Sequence, residues 1–103
     1  MKIAISLVSG MLAALLSAPQ TLAADIAGGK AKASGCSSCH GLNGMATNPA
    51  YPNLAGQKDQ YLAKALKDYR DGKRKDAMME GMVKGLNDAD IDNIAAYYAS
   101  LKP

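Results

Sequence analysis

Cys36-Ser37-Ser38-Cys39-His40 is the stretch whose reading decides the fold. It uses both cysteines and the only histidine of a 103-residue sequence. Thiols three positions apart lie on one side of a helical turn. Each is then placed to add to one of two vinyl groups along one side of a flat macrocycle. The imidazole that follows directly is held beneath the centre of that ring. This C-x-x-C-H spacing is the attachment pattern of a c-type haem, with His40 as the proximal axial ligand of the iron. Five residues thus anchor one covalent haem c and supply a metal ligand.

Three other uses of the same residues compete. A thioredoxin-like dithiol needs a strand before the motif and a helix after it. Here a small-residue helical stretch precedes it, and a Gly/Asn/Pro loop follows. A disulfide across so short a loop constrains little of the unfolded chain. Zinc commonly takes four ligands, and two Cys with one His fall short.

The amino-terminal residues read as a targeting segment. Met1-Lys2 is a short positive start, and Ile3 to Leu16 is apolar and uncharged. Pro19 breaks the run, and small residues follow at Thr21, Ala23 and Ala24. This is the pattern of a secretory signal peptide over residues 1–23, with cleavage after Ala23 or Ala24. The apolar run is short for a membrane span. The expectation is export, most simply to a bacterial periplasm, of a domain covering residues 24–103 with no membrane span of its own.

A domain of that size has a marginal core and gains from a staple. It lacks Trp and Phe altogether. A covalently held haem supplies the missing large apolar surface, so the haem-free chain is expected to be largely unfolded. Charge excludes another class. Twelve basic against nine acidic residues, interleaved, give +3, and Lys2 belongs to the leader. That balance does not suit a nucleic-acid binder. The only local basic excess is Gly72-Lys73-Arg74-Lys75, which reads as a solvated loop or a docking patch.

Periodicity predicts an all-α domain with three main helices and long loops. Asp25 to Ser34 is small and helix-compatible, and its glycines suit a close helix crossing. Gly41 to Gly56 is rich in Gly, Asn and Pro, as a long functional loop is. Lys58 to Asp71 places Tyr61, Leu62, Ala65, Leu66 and Tyr69 on one face, and Gly72 suits the position after its end. Asn87 to Leu101 carries an N-cap at Asn87, acidic residues in the first turn, and an apolar stripe of Ile91, Ile94, Ala95, Tyr98 and Leu101.

A haem held by one histidine has a second face open. Methionine is the natural partner there, and a His/Met pair raises the reduction potential. Met45 lies only five residues after His40, too near to reach the far face comfortably. Met78, Met79 and Met82 are far enough along the chain to wrap round. Methionine also fills irregular cores, and periodicity leaves the choice among the three open.

From Gly28 to Leu101 the chain resembles the small class I cytochromes c of bacteria, especially single haem domains of dihaem periplasmic cytochromes. The motifs that carry the resemblance are Cys36-Ser37-Ser38-Cys39-His40-Gly41, Tyr51-Pro52-Asn53-Leu54-Ala55-Gly56-Gln57, Tyr61-Leu62 and Gly72-Lys73-Arg74. The last is Met79-Glu80-Gly81-Met82-Val83-Lys84-Gly85-Leu86-Asn87-Asp88, running into Ile94-Ala95-Ala96-Tyr97-Tyr98. The resemblance implies the class I cytochrome c fold. It assigns Met79, seven residues before Leu86, as the second axial ligand. It also implies a Pro52 carbonyl on the free ring nitrogen of His40, and a crossing of the first and last helices with Gly28 or Gly29 against Tyr97 or Tyr98. The implied function is one-electron transfer between redox protein partners, not an enzyme's turnover. A dedicated electron-accepting subunit of a periplasmic dehydrogenase is the alternative the same resemblance allows.

Overall fold

The computed structural model describes residues 23–103; the leader assigned to residues 1–23 lies almost wholly outside them. Five α-helices and no strand occur among the described residues: α1 (Ile26–Lys32), α2 (Ser37–His40), α3 (Asp59–Arg70), α4 (Ala77–Val83) and α5 (Asp88–Ala99). A 3-10 turn, Ala33–Gly35, links α1 to α2. The all-α expectation holds. The three main helices are α1, α3 and α5, and the structure adds two short ones. One is the turn that carries the cysteines; the other carries three of the methionines.

The helix ends follow from local chemistry. Asp25 caps α1 by accepting from Gly28 N at 2.9 Å. Asn87 and Asp90 form a reciprocal capping box at the start of α5, with Asp90 N to Asn87 Oδ1 at 2.8 Å and Asn87 N to Asp90 Oδ2 at 3.2 Å. Each satisfies a backbone donor that the first turn leaves without a partner. α3 ends before Gly72, whose φ of 80° suits a residue without a side chain.

α1 and α3 both pack on α5, and α4 packs chiefly on α3. The core between them is Ala33, Leu62, Ile94, Ala95, Tyr97 and Tyr98, with Cys36, Leu54, Leu66, Leu86 and Leu101 packed against it. The α1–α5 crossing is as close as the glycines suggest, but its partner differs from the expected tyrosines. A Cβ on Gly29 would lie 2.0 Å from Asn93 O and 3.0 Å from Ile94 N, so backbone meets backbone one turn before Tyr97. Gly28 faces the Asp25 cap instead. Tyr97 and Tyr98 are buried about one turn further along α5, where they pack with Ala33 in the core. An Asp25 N to Asn93 Oδ1 bond of 2.8 Å closes the same crossing.

The loop between α2 and α3 is folded back on itself. Gly44 O accepts from Leu54 N at 2.8 Å and from Ala55 N at 3.0 Å, and Asn53 Oδ1 accepts from Ala46 N at 2.7 Å. Gly56 N donates to Tyr98 O at 3.0 Å, which fastens the loop's end to α5. Gly41 turns the chain out of α2 at φ 89°; a side chain there would also strike Met45 O. This loop carries Pro52 back to His40.

Candidate haem site

α2 is a single helical turn, and it presents the motif. His40 N donates to Cys36 O at 2.9 Å, so the two thiols and the imidazole share one rigid turn. Ser37 and Ser38 turn their hydroxyls back to Ser34 O and Gly35 O, at 2.8 and 3.3 Å. Cys36 and Cys39 are unbridged and half-buried. Burial pushes the Cys36 thiol above its ordinary pKa; a hydrogen bond from Tyr98 opposes this, and the neighbouring Cys39 adds to the rise. The Tyr98 hydroxyl is itself pushed up, mainly by burial.

His40 is buried, and its Nδ1 lies 2.9 Å from Pro52 O. A carbonyl only accepts, so this bond puts the ring proton on Nδ1 and leaves the Nε2 lone pair free. A backbone partner of this kind fixes the ring plane and makes the imidazole a stronger metal donor. Tyr51 stands beside the ring, with centroids 6.3 Å apart.

The methionines divide by exposure. Met78 and Met82 are 58% and 47% exposed, whereas Met79 is half-buried. α4 orients all three. Asp76 caps it by accepting from Met78 N and Met79 N, both at 3.0 Å, while Asp76 N donates to Glu80 Oε2 at 3.2 Å. The Met82 methyl reaches Gly35, the residue before Cys36. The α4 segment read from sequence only as a methionine cluster; Asp76 before an apolar run was the available signal of a capped helix. The packing of Cys36 against the core that holds Tyr98 had no sequence signal, since 62 positions separate the two.

This donor set fits a haem. It offers two unbridged thiols on one turn, an imidazole whose Nδ1 is engaged by a backbone carbonyl, and thioethers on a separate helix, one of which reaches Gly35. Among the described residues no cluster of His, Cys, Asp and Glu is suited to hold a bare metal ion.

Residues 26–102 match the family described as Cytochrome c, and the chain belongs to that family. It therefore carries a covalently bound haem c. Cytochrome c-554(548) of Halomonas halodenitrificans is 49% identical over 81 residues, covering 76% of this chain and 98% of that one. Cytochrome c4 of Pseudomonas aeruginosa is 45% identical over 96 residues, covering 93% of this chain and 48% of that one. The thiosulfate dehydrogenase electron acceptor of Thiomonas intermedia is 49% identical over 74 residues, or 70% and 34% of the two chains. The crystal structure of reduced recombinant cytochrome c4 from Pseudomonas stutzeri overlays with a TM-score of 0.73 at 39% identity, covering 78% of this chain and 47% of that one. The chain thus spans about half the length of the cytochromes c4 it matches and nearly all of cytochrome c-554(548).

Proposed function

We propose that this chain is a periplasmic one-electron carrier whose haem is fastened by Cys36 and Cys39 and ligated axially by His40 and Met79. The observation that carries the reading is the Nδ1–Pro52 O bond of His40 beside two unbridged thiols. It leaves Nε2 as the ring nitrogen available to a metal. The iron of a bound haem supplies a one-electron couple. The chain's own residues do the rest. His40 and Pro52 fix one ligand's direction, and Met79, the least exposed of the three α4 methionines, would supply the other. With both axial positions filled, no site remains for a substrate at iron.

The visible spectrum of the purified coloured protein tests this reading. A low-spin reduced haem that does not bind CO at neutral pH is the expected result. Met79→Ala opens the axial site to CO, and the reduction potential falls. A high-spin or CO-binding reduced haem in the unaltered protein overturns Met79 ligation.

A second reading places the chain as the electron-accepting subunit of a dehydrogenase. The 49% identity to a thiosulfate dehydrogenase electron acceptor favours it. Co-purification with a larger redox enzyme under mild conditions decides for this reading; a protein that elutes alone decides for the free carrier.

A further inference from the structure

The methionine-bearing segment is tied at both ends to one place, the carboxyl end of α3. At its start, Lys73 N and Arg74 N both donate to Asp68 O, at 2.8 and 3.1 Å. At its end, Arg70 Nη1 donates to Leu86 O at 3.3 Å. The same nitrogen donates to Asp88 Oδ1 at 2.7 Å, in the first turn of α5. The other edge of the guanidinium is fixed by Asp71, through Nε to Oδ1 at 2.9 Å and Nη2 to Oδ2 at 3.3 Å. Between the two ties lie Met78, Met79 and Met82, and Val83 is the one buried residue of α4. α4 packs chiefly on α3. These ties add to the burial of Val83, the packing of Leu86 on the core and the approach of Met82 to Gly35 in holding the segment.

We propose that Arg70 is a positioning residue, clamping the exit of the methionine segment to the junction of α3 and α5 and so setting how readily Met79 yields its place on the iron. The inference rests on the reading of Met79 as axial ligand. The geometry explains why the residue is arginine. A planar fork with five N–H groups serves two carboxylates and a carbonyl at once; an ammonium cannot span Asp71, Leu86 O and Asp88 from one point. Asp71 aims the fork, and Asp88 and Leu86 O receive it. Only Leu86 O belongs to the exit of the methionine segment, so that hydrogen bond is the one that transmits position.

The test is imidazole binding to the oxidised holoprotein, followed by loss of the near-infrared sulfur-to-iron(III) charge-transfer band. Imidazole enters only when the methionine has left, so its apparent affinity reports that equilibrium. Arg70→Gln is expected to tighten imidazole binding about tenfold, the factor expected when one hydrogen bond from a charged donor is lost. Arg70→Lys should fall between the two. Lys64→Gln removes an exposed ion pair with Asp68 on the same helix and should leave imidazole binding unchanged. Should Arg70→Gln fold poorly, Asp71→Asn loosens the fork without removing it and should shift affinity the same way by less. Arg70→Gln or Asp71→Asn proteins that lose thermal stability while imidazole affinity stays constant overturn the proposal, because a purely structural clamp gives that result. Met79→Leu separates the two readings. If the sulfur band survives it, the ligand assignment fails; if the band is lost but Arg70→Gln leaves imidazole affinity unmoved, only the clamp fails.

Discussion

Gly29→Ala should separate α1 from α5, and the structure sets the scale. The new Cβ would stand 2.0 Å from Asn93 O and 2.5 Å from Asn93 C, where 3.4 Å begins ordinary contact. The helices must part by about 1.4 Å, because the obstruction is backbone on both sides and no rotamer relieves it. A gap of that size forfeits much of the dispersion energy at a packed surface, and overpacking of this kind costs about 3 kcal/mol at the upper end of its range. Replacing Gly by Ala within a helix returns about 1 kcal/mol. A net loss of roughly 2 kcal/mol corresponds to a fall of about 8–16 °C in Tm for a domain this small. The Asp25 N–Asn93 Oδ1 bond spans the same gap and adds to the loss. Thermal unfolding of the holoprotein, followed by far-ultraviolet circular dichroism and by the Soret band, measures it. Gly28→Ala is the internal comparison, because its Cβ meets only the Asp25 side chain and should cost less. A Gly29→Ala protein within about 0.5 kcal/mol of the parent, the spread of ordinary surface changes, would refute the close crossing.

Gly81→Ala should do the reverse. It lies inside α4 with nothing within 4 Å of the added carbon, so chemical denaturation should show a gain of about 0.5–1 kcal/mol. Pro52→Ala should leave the absorption spectrum intact, since the contact to His40 is a backbone carbonyl that alanine also has; the cost, read from the denaturation midpoint, is about 0.4–1 kcal/mol of lost chain stiffness. The Asp71 carboxyl is held below its ordinary value of 3.8, chiefly by its hydrogen bond from Arg70. A depressed folded pKa gives stability that is complete above the ordinary value and is lost as pH falls through the lower folded one. Acid titration of Asp71→Asn should therefore show a shallower loss of stability below about pH 4 than the parent. Cys36→Ser combined with Cys39→Ser should abolish covalent haem attachment, and circular dichroism of the product should show most of the helix gone. A colourless protein with full helical signal would contradict a core completed by the haem.

How much of this was legible in the chain depends on the range of the interaction. α3 and α5 were readable because their apolar spacing, Asp59, Asn87 and Gly72 are local signals that the final packing did not override. The motif was readable for the same reason, since its five residues are contiguous and share one helical turn. The loop's turn residues were visible, but its destination was not. Spacing alone does not say that Gly44 and Asn53 hold a fold that brings Pro52 O to His40; that pairing came from family resemblance. The crossing partner of Gly29 was missed by one helical turn, because sequence marks which face is small and leaves open where along α5 it lands. Arg70 shows the limit most clearly. In the sequence it is a cation in the last turn of a helix, suited to the helix dipole. In the structure that same side chain gathers Asp71, Leu86 O and Asp88 from two helices and the strand of loop between them. A positive end-of-helix charge needs no specific partner, whereas a fork with all its hydrogen bonds directed to three named acceptors does, and only the folded chain brings those acceptors within reach. The proposed first ligand, His40, was therefore legible from five adjacent residues, while the ties proposed to hold the second span positions 68 to 88 and had to be read from the fold.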